Sequence, residues 1–153
     1  MSKLSFTREN IMKVCLSVLA ERRLGIERDL NDITDSASTE TKSSVGDKHE
    51  TARARMQEEQ ARLQQQFHEI KTQEAELEKI RQINIEEKVS QGSVVFTNLG
   101  VFFIAIALGK LRLGQDHIQV VSARSPLVLK MIGLKAGDAF ELNGTSYFIK
   151  SVK

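Results

Sequence analysis

The chain has 153 residues, enough for one ordinary domain or two small ones. Hydrophobic residues make up 41% and charged residues 27%, a mix typical of a compact part joined to an extended, solvated part. The formal net charge of +2 is too small to indicate nucleic-acid binding by bulk electrostatics, and a single cysteine, Cys15, excludes an internal disulfide and a cysteine metal cluster.

The first residues of the sequence do not show the pattern of a secretory signal. Its first residues, Met1 to Asn10, carry charges and lack a small-residue cleavage site after an apolar core. The most apolar run, Val101 to Leu108, has eight residues, too few to cross a bilayer. We therefore expect a cytoplasmic protein with no membrane partner.

A long first helix is predicted from about Thr7, where a Thr followed three residues later by Asn is a helix-capping pattern. Gly25 costs roughly 1 kcal/mol relative to Ala inside a helix, so a local bend or a close helix contact is expected there. Cys15 lies on the apolar side, which predicts a packed thiol. Steps of three, four and seven trace one apolar stripe: Ile11, Val14, Cys15, Val18, Leu19, Ile26, Leu30 and Ile33.

A polar break rich in Ser and Thr is predicted from Ser36 to Gly46, because these hydroxyls compete for backbone hydrogen bonds. A second helix is predicted from Asp47, as its N-cap, to Ile83, with Glu50 in the first turn. Its apolar residues recur every seven positions, with two more between them, which is typical of a coiled-coil seam: Met56, Leu63, Ile70 and Leu77, then Phe67 and Ile80.

These patterns predict an N-terminal antiparallel two-helix coiled-coil hairpin over residues 1–87, with a tip at about residues 36–50. A thin hairpin buries little apolar surface and holds no pocket. Such a hairpin usually projects from a globular domain and places the few side chains at its tip far from that domain.

The second half of the chain changes to strands and turns after about Gln91. A short helix is predicted after Ser125, with Pro126 at its first position and Gly133 at its end. Asn143-Gly144 is a strong hairpin signal. Strands are predicted at Ser93–Thr97, Val101–Leu108, Ile118–Ser122, Ala139–Leu142 and Tyr147–Ile149. The predicted class is α+β, with a small antiparallel β domain with one short helix over residues 91–153.

No catalytic constellation stands out, since three scattered histidines and the glycine spacing match no metal, P-loop or dinucleotide motif. An acidic cluster surrounds the tip. Within it, Asp47 and Glu50 share a face of the first helical turn and could hold a divalent cation such as Mg²⁺ or complete another protein's metal site. The alternative is that they are cap and dipole partners on a solvated helix end.

Basic side chains flank the tip on the second helix: Lys48, Arg53, Arg55 and Arg62. They could dock an acidic or phosphate-bearing partner, or be ordinary surface charge. Two further tip residues, Glu40 and Lys42, are candidates for the same surface.

The segment from Ser122 to Asp138 carries a spaced pattern in which Ser125-Pro126 is followed by Ile132-Gly133 and then by Gly137-Asp138. This pattern resembles the signature of the Gre-type transcript cleavage factors. Gln91 to Val95 resembles the strand that opens the C-terminal domain of that family. The layout of a helical hairpin before such a domain is also similar, and the resemblance implies that the domain is FKBP-like.

The resemblance implies a regulator of transcription elongation whose partner is bacterial RNA polymerase. The C-terminal domain would dock at the rim of the secondary channel through Ser125, Pro126, Ile132 and Gly133. The hairpin would enter the channel and place its tip near the active site. The chain would be a monomeric accessory factor rather than an enzyme, touching nascent RNA and DNA only indirectly.

In cleavage-competent members of the family, tip carboxylates help hold the second Mg²⁺ of the polymerase and a water, so the polymerase cuts its own backtracked RNA. No cofactor of its own is implied. The tip can be aligned with the family's acidic motif in two registers. In the first, Asp47 and Glu50 take the places of the family's two acids; in the second, Ser43 and Gly46 take those places and the acids are missing. The family's "asn-ala-glu-tyr" continuation is absent in both registers.

Three other hypotheses about function are alternatives to a transcript cleavage factor. The first is a secondary-channel occupant that inhibits or tunes transcription without cleavage. The second is a coiled-coil module that self-associates through the Met56, Leu63, Ile70 and Leu77 seam. The third is a small isomerase or chaperone.

Overall fold

The computed structural model describes residues 6–42 and 46–153, and of residues 37–42 and 46–49 it describes the backbone alone. Two long helices come first: α1, Arg8–Lys42, and α2, Gly46–Arg81. A mixed six-stranded sheet with one short helix follows. The α+β class predicted from the sequence is therefore confirmed.

The start of α1 follows the predicted capping pattern, because the Thr7 Oγ1 accepts a hydrogen bond from the Asn10 backbone N at 3.2 Å. The predicted break beginning at Ser36 is wrong in extent, since α1 continues to Lys42. Ser and Thr cost only some tenths of a kcal/mol in a helix. Their hydroxyls can also bond within it, as the Thr34 Oγ1 donates to the Leu30 carbonyl at 3.0 Å.

The sheet contains strands β1 to β6 in the spatial order β3-β4-β2-β1-β6-β5. Their bounds are Val94–Thr97, Gly100–Ala105, Gly109–Leu113, Asp116–Ser122, Ala139–Leu142 and Thr145–Val152, and the short helix α3, Pro126–Met131, lies between β4 and β5. Neighbouring strands pair antiparallel except β2 and β4, which are parallel. The expectation of an antiparallel sheet is therefore corrected to a mixed one.

Strand β3 is absent from the sequence-based prediction, which treated Val101–Leu108 as one buried strand. The chain instead turns after Ala105 and returns as Gly109–Leu113, antiparallel to β4. Gly109 has φ 84°, a left-handed conformation that favours glycine and permits this turn. The continuous apolar run concealed the turn.

The Asn143-Gly144 hairpin is found where the sequence places it, between β5 and β6. Asn143 has φ 52° and Gly144 φ 78°, the pair of positive values that a type I′ turn needs. Its twist matches that of the flanking strands, so the register from Leu142↔Thr145 to Ala139↔Phe148 follows from the turn.

Each face of the sheet carries a buried core over its central strands. On the face covered by α3, a buried cluster joins the sheet to the helix: Val89, Val95, Phe102, Ile104, Val128, Met131 and Ile149. On the opposite face, Val94, Phe103 and Val120 share a register row and are almost fully buried. The Phe6 ring packs edge-on against Phe96 there, with centroids 5.8 Å apart.

The chain separates into two compact units. One combines the residues up to Ser17 with Glu74–Lys153 and therefore contains the sheet, the start of α1 and the end of α2. The other, Val18–Gln73, contains only helical segments of α1 and α2 among the residues described.

We expect Gly25→Ala to raise the free energy of unfolding by about 0.5–1 kcal/mol, because Gly is the poorer helix former. A Cβ at this position would meet no closer neighbour than the Arg28 guanidinium, 4.0 Å away, so the close helix contact expected from the sequence is not found. Urea denaturation provides the measurement. Ala61→Gly, the reverse change at an exposed α2 position, should destabilise by a similar amount, and a destabilising Gly25→Ala would contradict the open space.

Candidate functional site

The acidic candidates Asp47 and Glu50 lie near the start of α2, with Asp47 in its first turn, where negative charge suits the helix dipole, and Glu50 just beyond that turn. The helix begins at Gly46, so Asp47 is inside it rather than at its N-cap. Glu50 is exposed. The side chains of Glu40, Lys42, Asp47 and Lys48 lie outside the described residues, so the expected meeting of the Asp47 and Glu50 carboxylates stays a prediction.

Two shallow grooves are lined by side chains from both long helices within the Val18–Gln73 unit. The first, of about 480 Å³, is lined by Arg22, Gly25, Ile26, Asp29, Gln66, Glu69, Ile70 and Gln73. The second, of about 270 Å³, is lined by Asp32, Ile33, Ser36, Arg55, Met56 and Glu59. Each groove has apolar residues from both helices and a charged rim of both signs. A mixed rim of this kind indicates no single ligand.

The basic flank of the tip is only partly available to a partner. The Arg62 guanidinium donates from Nε to Glu59 Oε2 at 3.0 Å and from Nη2 to Glu59 Oε1, a two-pronged pair. This hydrogen bonding lowers the pKa of Glu59 and raises that of Arg62. Arg53 and Arg55 are exposed and form no ion pair with a described residue, so both are available to a partner.

The Ser125-Pro126 pair acts first as a helix start. The Ser125 Oγ accepts a hydrogen bond from the Val128 backbone N at 3.3 Å, and Pro126 occupies the first helical position. Gly133 has φ 83° just beyond α3, and its N–H donates to the Val89 carbonyl at 2.9 Å. The predicted short helix is confirmed, with Pro126 at its first position and Gly133 just beyond its end. Ser125, Pro126 and Gly133 therefore have a structural role in α3 whether or not they contact another protein.

The outward side of α3 presents apolar groups beside the exposed Lys130, and no described part of the chain covers them. Leu129 is 67% exposed and Ile132 44%, next to the exposed Pro126 and Gly133. We call these four residues the α3 surface. The docking candidates Pro126, Ile132 and Gly133 therefore lie together, and Leu129 joins them. The sequence analysis missed Leu129, although its helical spacing from Ile132 and from the core residue Val128 could have separated the outward side from the inward one.

The thiol of Cys15 and the groups of possible metal ligands were the remaining candidates for chemistry in the described part of the chain. Cys15 is fully buried, and burial raises the pKa of its thiol to about 12, so the thiolate nucleophile is not formed near neutral pH. The predicted packed thiol is confirmed. Among the side chains that the structure describes, those of residues 6–36 and 50–153, no three His, Cys, Asp or Glu are grouped so that they could hold a metal ion.

Comparison of the chain with protein-family models, with curated proteins and with solved structures found no match. Among the helices that the structure describes, none combines the length and the apolar character needed to cross a membrane.

Proposed function

We propose that this protein is a Gre-like regulator that binds bacterial RNA polymerase at the secondary channel and directs its helical tip toward the active site. The proposal includes an antiparallel coiled-coil hairpin and an FKBP-like C-terminal domain. The polymerase would supply the catalytic site and the Mg²⁺. This chain would occupy the secondary channel and bring its tip carboxylates near that site.

The observation that carries the proposal is the order in which the two helices share their grooves. Residues Arg22 to Asp29 share a groove with Gln66 to Gln73, and Asp32 to Ser36 share one with Arg55 to Glu59. Residues further along α1 therefore meet residues earlier in α2, which supports an antiparallel hairpin of the two helices. At about 1.5 Å per residue, each helix is roughly 50 Å long.

The second support is the α3 surface. A helix started by Ser125-Pro126 and ended by Gly133 presents Leu129 and Ile132 to solvent. Exposed apolar groups beside a rigid cap suit a docking site on another protein better than a free surface. Its position in the segment that resembles the Gre-type signature makes it the proposed contact with the channel rim.

The alternative of a non-cleaving channel regulator shares every feature above and differs only in what the tip acids do. Self-association through the helical seam is less well supported. Leu63, Ile70 and Leu77 are buried within one chain and are therefore not available to a second copy.

Binding is tested by capture of bacterial core RNA polymerase on the immobilised full-length protein. We expect capture by the wild type and at least tenfold weaker capture by Leu129→Glu, because a charge would replace an exposed apolar contact. Leu99→Glu is the matched control, since Leu99 is 52% exposed in the β1–β2 turn. Absence of capture by the wild type, or equal loss with both variants, contradicts the proposed docking.

The role of the tip acids is tested with stalled elongation complexes. In the cleavage reading, the wild type stimulates RNA shortening and Asp47→Ala/Glu50→Ala abolishes it without loss of polymerase binding. Glu86→Ala/Glu87→Ala is the control, because it removes the same charge from exposed positions after α2. Polymerase binding with no stimulated cleavage by the wild type would select the non-cleaving alternative.

A further inference from the structure

Charge is divided unequally between the two halves of the chain. Residues 91–153 contain seven Lys and Arg against three Asp and Glu, whereas residues 1–90 contain 15 against 17. The net charge of +2 therefore hides a basic second half. Part of that excess is concentrated on one small surface, at the β3–β4 hairpin.

Strands β3 and β4 place four polar side chains on one face of the sheet. Lys110 pairs with Gln119 and Arg112 with His117, and successive side chains on a strand alternate between faces. All four are exposed, while the alternate residues Leu111, Leu113, Ile118 and Val120 are buried. We call Lys110, Arg112, His117 and Gln119 the β3–β4 surface.

No carboxylate neutralises this surface within the described part of the chain. Lys110 and Arg112 form no ion pair there. The Arg112 Nε donates to the Gly114 carbonyl at 3.0 Å, which fixes the side chain and leaves its two terminal nitrogens to a partner. Lys110 and Arg112 are two residues apart on one strand, so their Cα atoms are about 7 Å apart.

Protection of a sheet edge explains these residues only in part. β3 is an edge strand, and charged side chains discourage edge-to-edge association. That role needs charge of either sign, and it does not extend to His117 and Gln119 on the internal strand β4.

We propose that the β3–β4 surface binds the phosphate backbone of nucleic acid. Arg and Lys are the common phosphate ligands, and the Gln amide adds a neutral donor for phosphate or sugar oxygens. The surface has none of the exposed aromatic or apolar anchors that a protein interface or a membrane site uses. The inference goes beyond the proposed function, because it gives this chain a direct nucleic-acid contact that does not depend on polymerase binding.

The test is fluorescence anisotropy of the full-length protein, without polymerase, with a labelled 20-nucleotide mixed-sequence RNA and a labelled 20-base-pair DNA. We expect binding in 50 mM salt that weakens steeply as salt rises. Lys110→Glu/Arg112→Glu should weaken it at least tenfold and flatten the log–log salt dependence by about 1.5, since each lost phosphate contact removes about 0.7–0.9 from the slope.

Lys13→Glu/Lys150→Glu is the matched control. It makes the same change in charge at exposed positions on α1 and on β6, so affinity should fall no more than threefold. If the double Glu variant does not fold, as judged by circular dichroism, Lys110→Gln/Arg112→Gln replaces it. The proposal is overturned by no binding of either nucleic acid, by equal losses in the two double variants, or by tighter binding to polyglutamate or anionic vesicles.

Discussion

Phe103→Ala is expected to lower the free energy of unfolding by about 3–5 kcal/mol, because it removes a whole aromatic ring from a packed core. Phe103 is 0% exposed and lies in β2 between Val94 on β1 and Val120 on β4. The ring therefore packs in the middle of the sheet, on the face opposite α3. The cavity would be surrounded by strands that cannot collapse without changing the register. Urea denaturation followed by circular dichroism measures the loss.

Phe148→Ala is the control for the same chemical change. Phe148 is 46% exposed on β6, so the cost there should stay below about 1.5 kcal/mol. If Phe103→Ala does not fold, Phe103→Leu replaces it, and we expect its loss in free energy of unfolding to lie between those of Phe148→Ala and Phe103→Ala. Similar costs for Phe103→Ala and Phe148→Ala would contradict the central position of Phe103.

Arg8→Met is expected to cost about 2–3 kcal/mol, since it removes two hydrogen bonds that a charged donor makes at a partly buried position. Arg8, at the start of α1, donates from Nη1 to the Ile83 carbonyl at 2.5 Å and from Nη2 to the Ile80 carbonyl. Ile80 lies in the last turn of α2 and Ile83 two residues after its end, so the positive charge of Arg8 also interacts favourably with the helix dipole. Burial lowers the pKa of the Arg8 guanidinium, as expected of a cation held away from water.

Methionine preserves most of the aliphatic packing of Arg8, so the loss measured by urea denaturation reports the hydrogen bonds. Arg28→Met, at an exposed α1 position, should change stability by less than about 0.5 kcal/mol. Arg8→Lys should fall between the two, because one ammonium cannot span both carbonyls. An Arg8→Met variant as stable as Arg28→Met would show that Arg8 does not join the start of α1 to the end of α2.

The parts of the fold that sequence predicted well are those decided by a few neighbouring residues. Ser125-Pro126 starts α3, Asn143-Gly144 turns β5 into β6, and Thr7 caps α1. In each case, one side chain or one glycine fulfils a backbone requirement that no distant residue could change. The seam on α2 was also predictable, because Leu63, Ile70 and Leu77 are buried with the expected seven-residue spacing.

The parts that sequence predicted poorly depend on distant partners. The Ser- and Thr-rich segment after Ser36 remains helical to Lys42, although its local preferences favour a turn. β2 pairs in parallel with β4 only because β3 is inserted between them in the chain. No local pattern encodes that pairing, and the apolar run beginning at Val101 concealed the turn that makes it possible.

Some residues of the candidate site could be predicted from local sequence, and others only from the fold. The Ser125–Gly133 segment was identified from spacing, but the exposure of Leu129 depends on which side of α3 meets the sheet. The β3–β4 surface needed the register that places Arg112 beside His117, and this register became visible only with the fold. The spacing of Asp47 and Glu50 is a property of sequence, whereas their joint action depends on a partner's active site.

The position of β6 has a consequence for how the protein is made. β6 lies between β1 and β5, and Lys153 exchanges backbone hydrogen bonds of 2.7 and 2.9 Å with Val94. During synthesis from the N-terminus, both long helices leave the ribosome well before the strand that completes the sheet. The apolar strands β1 and β2 are therefore synthesised before the strand that pairs with the free edge of β1, and an unpaired apolar edge of this kind is prone to aggregation until β6 closes it.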